Sequence, residues 1–64
     1  MPKYKVGDMV IFLHKTTSRN YLTGMVQTVA PSGSNDYPNH YNILCESMQC
    51  EILVAENDII DLAY

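Results

Sequence analysis

Two short segments in the last third of the chain carry apolar residues at every second position, in residues 41–45 and 50–54. Such alternation is the pattern of a β-strand with one buried face. We place Ser47 and Met48 at the tip of the turn between them. The opposed pairs are then Tyr41 with Val54, Ile43 with Ile52, and Cys45 with Cys50. A shift of one residue would turn every one of these side chains to the other face, so the sequence predicts an antiparallel hairpin with a fixed register.

Two further strands are predicted in the first half of the chain. Residues 9–13 form a continuous apolar run of strand length, in which Val10 and Phe12 are expected to point inward. The odd-numbered residues of this run are then left for a second contact surface. From them we select Met9 and Ile11 as a candidate surface for association.

The second of these strands, residues 21–30, carries two signs of curvature. Gly24 indicates a bend, a bulge or a backbone packed close to a neighbour. Val26 and Val29 are three residues apart, so the alternation of apolar positions is interrupted once. Both features predict a strongly curved strand.

The end of the chain predicts a short turn followed by a last strand. Residues 55–58 are expected to form one turn of 3-10 helix, and residues 59–62 a brief strand. No apolar repeat of 3.6 residues extends over ten or more positions, so no substantial α-helix is expected. The 64 residues make a single domain, 1–64. The predicted fold class is therefore all-β, a small domain of five strands with at most one short 3-10 turn before the last.

The size of the chain narrows the classes of function. A core built from 64 residues contributes only about 3–5 kcal/mol of net stability, which leaves little for a deep catalytic cleft. The sequence contains neither a phosphate-binding loop nor a paired-carboxylate motif, so we expect no enzyme, no catalytic residues and no cofactor. No apolar run approaches the roughly 20 residues needed to cross a bilayer. No secretory signal is recognised near Met1, so we expect a cytoplasmic location without membrane contact.

The net charge of −3 is unevenly distributed along the chain. Residues 1–32 carry four Lys or Arg and one Asp, whereas residues 33–64 carry six acidic residues and no Lys or Arg. Nucleic-acid binding normally uses a basic face, and basic residues are few in this chain. It is therefore an alternative hypothesis, with the loop 14–20 and residues 37–41 as its contact surfaces. A second alternative is an acidic inhibitor of phage type that occupies a host nucleic-acid-binding protein.

The two cysteines allow two interpretations. Cys45 and Cys50 face each other in the predicted hairpin, where a disulfide would be within reach. A cytosolic setting favours two reduced thiols that pack as small apolar groups. A zinc site would need two further ligands, and His14 and His40 lack the spacing of a metal-binding motif. We therefore expect reduced cysteines and no metal.

Five short strands, a bent second strand and a one-turn link before the last strand together resemble an SH3-like barrel. Three segments carry the resemblance: GDMVIF at 7–12, GMVQTV at 24–29 and VAENDIIDL at 54–62. The last is similar to the way Tudor-like and KOW-like members close their barrel. The resemblance implies a five-stranded barrel over residues 6–62.

Proteins of this fold include peptide binders, readers of methylated residues, RNA- and ribosome-binding modules, and accessory subunits of electron-transfer complexes. The fold alone does not choose between these functions. This chain departs from several branches, because it has no Trp for a peptide groove, few aromatic residues for a methylammonium cage, and an acidic balance.

Two loops carry candidate binding residues. The loop 14–20 holds Lys15 and Arg19, which either contact an anion or only keep the loop solvated. Tyrosines at the loop ends would give contact area at low entropic cost, unless they are merely scattered on the surface. The candidates for such a peptide-binding patch are Tyr21, Tyr37 and His40.

Three acidic residues near the last strand, Glu56, Asp58 and Asp61, form either an acidic docking strip or part of the turn. Taken together, these features predict a small non-catalytic interaction module. Its expected partner is another protein or, as a homodimer, a second copy of the chain.

Overall fold

The computed structural model describes residues 2–15, 20–33 and 37–63. Five strands and one turn of 3-10 helix occur in this part of the chain. They are β1 (Met9–His14), β2 (Asn20–Ala30), β3 (His40–Cys45), β4 (Cys50–Ala55), the 3-10 turn (Glu56–Asp58) and β5 (Ile59–Leu62). The predicted all-β class is confirmed, as is the single 3-10 turn directly before the last strand.

The five strands form one antiparallel sheet in the order β4-β3-β2-β1-β5. The first four strands follow one another as a meander. The chain then crosses back through the 3-10 turn and places β5 beside β1. The outer strands of the sheet are therefore β4 and β5.

The register of the β3–β4 hairpin is the one that the alternation predicts. Its pairs include Tyr41 with Val54, Ile43 with Ile52, and Cys45 with Cys50. Gln49 closes the turn with a φ of 52°, and its N–H donates to the carbonyl oxygen of Cys45 at 2.7 Å.

One detail of that hairpin differs from the expectation. Cys45 is fully buried, but Cys50 is exposed, so the last pair does not place both side chains in the core. The reason is position: Cys50 begins the edge strand β4, at the end of the hairpin, where only one neighbouring strand is present. Both thiols are free.

The curvature predicted for β2 comes from two separate devices. At Gly24, a Cβ atom would lie 2.5 Å from both the Cγ2 of Ile43 and the carbonyl oxygen of Leu44, so only glycine lets the two strands approach this closely. Further along, Val26 pairs with Ile43 but Thr28 pairs with Asn42. Gln27 is therefore an extra residue, which explains the interrupted alternation.

The core lies on one side of the sheet. Every strand contributes to it, and its buried members are Val10, Phe12, Val26, Tyr41, Ile43, Cys45, Val54 and Ile59. The inward orientation expected for Val10 and Phe12 is confirmed. Tyr41 is the largest of these residues, and its ring is met edge-on by the ring of Tyr4 at a centroid distance of 5.8 Å.

The hydroxyl of Tyr41 ties the start of the chain to the end of the sheet. It donates to Oε1 of Glu56, and the backbone N–H of Lys3 donates to both the hydroxyl and Oε1 at 3.0 Å. The amide of Asn39 adds a bond to Oε1 at 3.3 Å. Since the bond from Tyr41 favours the ionised carboxylate, it holds the pKa of Glu56 below its usual value. The pKa of Tyr41 is raised, mainly by burial and also by the same hydrogen bond to Glu56.

Candidate functional site

An apolar surface crosses three adjacent strands on the side opposite the core. Met9 of β1 pairs with Met25 of β2, and Met25 pairs with Leu44 of β3, so their side chains form one row. Ile11 lies two residues from Met9 on the same face of β1. We call these four residues the outer apolar face.

Strand alternation explains why these residues share a face. In β1, the buried Val10 and Phe12 alternate with Met9 and Ile11. In β2, Met25 stands between two buried positions, and in β3 Leu44 does the same. Side chains on successive residues of a strand point to opposite sides, so burial of one set leaves the other outside.

Exposure is not equal across the outer apolar face. Met9 and Ile11, which the sequence singled out for association, are half-buried, while Met25 and Leu44 are 40% and 38% exposed. The two most accessible members were not selected from the sequence. A prediction of the register between β2 and β3, which pairs residues 24–26 with 43–45, would have identified Met25 and Leu44 as neighbours on this face.

Carboxylates lie at two opposite edges of the outer apolar face. Glu51 of β4 stands directly opposite Leu44, and Glu46 borders a shallow depression that Leu44 and Gln49 also line. At the other edge, Asp61 of β5 stands opposite Ile11. All three acids are exposed.

Two of the three lysines in the described segments are paired with other acids. Lys5 pairs with Asp8 at 3.7 Å, and Lys15 pairs with Asp58 at 2.9 Å. Within residues 2–15, 20–33 and 37–63, Glu46, Glu51 and Asp61 form no ion pair. The outer apolar face is therefore an apolar centre with negative charge at two opposite edges.

A small cleft of about 210 Å³ opens between the end of β1, the edge strand β4 and the 3-10 turn. Its lining residues are Leu13, His14, Lys15, Ile52, Leu53, Val54 and Asp58. The ion pair between Lys15 and Asp58 lies at its border. The volume is below the roughly 300–1,000 Å³ typical of small-molecule sites, so the cleft fits a side chain better than a substrate.

The candidate patch of tyrosines spans the length of β2. Tyr21 lies at the start of this strand opposite Leu13, whereas His40 lies at the start of β3 opposite Ala30. Tyr21 and Ala30 are nine positions apart, about 30 Å along the strand. Tyr21 is 66% exposed and Tyr37 71% exposed, and neither is packed into the core.

The curvature of the sheet nevertheless brings the bases of both loops to the 3-10 turn. Asp58 in this turn holds Lys15, which follows β1, while the N–H of Glu56 donates to the carbonyl oxygen of Asn39, which precedes β3. His40 uses its ring locally, with Nδ1 3.1 Å from the carbonyl oxygen of Pro38. Of the predicted binding residues, Arg19 lies outside the described part of the chain.

The acids weighed as a docking strip divide between different roles. Glu56 accepts the hydrogen bonds around Tyr41, and Asp58 holds Lys15, so both are occupied in the structure of the turn. Asp61 accepts a hydrogen bond from the neighbouring N–H of Leu62 and stays exposed at the border of the outer apolar face.

No three His, Cys, Asp or Glu side chains in residues 2–15, 20–33 and 37–63 are grouped closely enough to hold a metal ion. Across those same residues there is no helix with the length and apolar character needed to traverse a bilayer.

A scan against protein-family models, a search of curated proteins and a search of solved structures each found no match to this chain. Its function is therefore inferred from the geometry of its surfaces.

Proposed function

We propose that this protein is a small non-catalytic interaction module that binds a protein partner through its outer apolar face. The observation that carries the proposal is the continuous row formed by Met9, Met25 and Leu44 on three neighbouring strands. Single apolar side chains are common on protein surfaces and need no explanation. A contiguous apolar group on one face of a sheet is the more informative feature.

The chemistry of the row suits adaptable binding. Two of its members are methionines, whose unbranched thioether side chains fit partners of different shapes. The partly exposed Met25 and Leu44 would lose their remaining contact with water on binding, and this burial provides the driving force.

The strand order supports the SH3-like barrel that we propose as the architecture. A meander of four strands, a single 3-10 turn and a last strand beside β1 agree with the resemblance of the sequence. That fold supplies a rigid small scaffold, but the choice of a protein partner depends on the outer apolar face rather than on the fold.

Nucleic-acid binding receives less support from the same surfaces. Lys5 and Lys15 are engaged with carboxylates, and the exposed acids Glu46 and Glu51 would repel phosphates. The described part of the chain therefore offers no basic face of the kind that nucleic acids require.

The proposal is tested by selecting peptides from an unbiased display library against the wild-type protein. We expect enriched peptides whose binding falls at least about fivefold in the double variant Met25→Ser/Leu44→Ser, since a few buried apolar groups carry most of an interface's binding energy. The matched control is Val6→Ser/Ile60→Ser, which removes two exposed apolar side chains outside the outer apolar face.

The control variant should bind the selected peptides like the wild type. Thermal unfolding of both double variants verifies that each remains folded at the assay temperature. A selection without enrichment, or peptides that bind the Met25→Ser/Leu44→Ser protein unchanged while it is folded, would overturn the proposal.

A further inference from the structure

We infer that the occupant of the outer apolar face is a short protein segment whose apolar side chains are flanked by lysine or arginine. The inference rests on the proposed function and adds the chemical class of the partner. Its basis is the placement of Glu46 and Glu51 beside Leu44 at one edge of the outer apolar face and of Asp61 opposite Ile11 at the other.

The acids around the face have no ion-pair partner among the described residues. The three acids are exposed and form no ion pair within residues 2–15, 20–33 and 37–63. Lys5 and Lys15 are held by Asp8 and Asp58. A partner that covers the apolar centre must therefore meet carboxylates at both borders. Cations at those positions would be complementary, whereas acids would be repelled.

A second copy of the chain is disfavoured as the occupant for the same reason. A symmetric dimer uses the same patch on both subunits. Two outer apolar faces in contact would bring the acidic borders of one subunit against the apolar centre or the acidic borders of the other. Neither arrangement supplies cations to Glu46, Glu51 or Asp61.

The dimensions of the row indicate the size of the occupant. Met9 and Leu44 are two strand spacings apart, about 10 Å. A surface of this width matches one helix or one extended segment rather than the side of a second domain. Basic residues on either side of two or three apolar residues would span it.

The acidic borders predict how binding responds to salt and to charge. Exposed charges at the edge of an interface act mainly on the association rate and are screened by salt. We expect the peptides selected above to be enriched in Lys and Arg next to their apolar residues, and their binding to weaken as salt rises from 50 to 500 mM, concentrations chosen for the assay.

The variant Glu46→Gln/Glu51→Gln tests the border directly. The affinity for a selected peptide should fall about fivefold. The effect is modest because each exposed charge pair contributes little on its own. The matched control is Pro2→Lys/Asn57→Lys, which raises the net charge by the same two units at exposed positions outside β1, β2 and β3. We expect this control to change binding by less than twofold.

The outcomes separate the inference from the proposed function. Peptides that require Met25 and Leu44 but are neutral or acidic would overturn the inference and leave the proposed function in place. Equal weakening by the control would also overturn it, because net charge rather than the border would then be responsible. Peptides whose binding does not depend on Met25 and Leu44 would overturn both the inference and the proposed function.

Sedimentation velocity on the wild type tests the second copy as occupant. We expect a monomer at all concentrations up to 200 μM, the highest set for the experiment. A dimer that dissociates in Met25→Ser/Leu44→Ser would show that the chain itself occupies the face, and the inference would be wrong.

Discussion

The hydroxyl of Tyr41 in β3 donates a hydrogen bond to Oε1 of Glu56 in the 3-10 turn, at 2.5 Å. Tyr41 is fully buried, so its ring belongs to the core while its hydroxyl reaches a carboxylate at the end of the sheet. The backbone N–H of Lys3 joins the same two oxygens. This relationship connects the core, the turn and the start of the chain.

Replacing Tyr41 by Phe removes the hydroxyl but keeps the ring in the core. We expect a loss of about 1–2 kcal/mol in the free energy of unfolding, because the bond goes to an ionised group that keeps other partners. Urea denaturation measures the change. The matched control is Tyr37→Phe, which removes an exposed hydroxyl and should cost less than about 0.5 kcal/mol. Equal effects of the two substitutions would show that the bond contributes nothing.

The lowered pKa of Glu56 predicts a specific response to acid. Its carboxylate accepts bonds from Tyr41, Lys3 and Asn39, which lower the folded-state pKa below the usual value of 4.5. A depressed pKa contributes stability that is present above the unfolded pKa and is lost as the pH falls through the folded pKa. Below about pH 4.5, the wild type should therefore lose this contribution.

The variant Glu56→Gln has no such carboxylate, so the difference in unfolding free energy between it and the wild type should shrink as the pH falls from 6 to 3, the range set for the titration. Other acids titrate in both proteins and cancel in the difference. A difference that is constant over this range would contradict the assignment.

Gly24→Ala should lower the stability of the protein by more than the addition of one methyl group suggests. The new Cβ would lie 2.5 Å from the backbone oxygen of Leu44, which cannot move without disturbing the β2–β3 pairing. We expect a loss of about 2–3 kcal/mol from this overpacking. The neighbouring Thr23→Ala, at an exposed position, should cost less than about 1 kcal/mol. If calorimetry gives the two variants the same melting temperature, the close approach at Gly24 is not as described.

The two cysteines should differ in reactivity. Cys50 is exposed and Cys45 fully buried, and both are free. A thiol reagent applied to the native protein should modify Cys50 rapidly and Cys45 only at the rate of unfolding. Mass spectrometry after brief labelling should find one modification in buffer and two in denaturant. Rapid double labelling of the native protein would be inconsistent with the buried position of Cys45.

The hairpin was the part of the fold most easily predicted, because its pattern permits a single register. Pairing Tyr41 with Val54 and Ile43 with Ile52 buries apolar groups on one face, and no neighbouring register does so. The interrupted spacing of Val26 and Val29 was interpreted only as curvature, and the structure has the extra residue Gln27 between them. The sequence pattern of a short segment was sufficient where the structure depends on residues of that segment alone.

The surfaces were harder to predict, since they depend on which strands become neighbours. The exposure of Met25 and Leu44 follows from the register between β2 and β3, which alternation within one strand does not specify. The role of Glu56 depends on the curvature that brings the 3-10 turn to Tyr41. The tyrosine patch involving Tyr21 and Tyr37 remains a prediction.

The 3-10 turn contacts the residue after β1 and the residue before β3, although Lys15 and Asn39 are 24 positions apart in the chain. Three residues thus set the separation between the bases of two loops. Because Glu56 and Asp58 belong to the same three-residue turn, a backbone change there would move the bases of both loops together. The spacing of the two loops is therefore encoded outside the loops themselves.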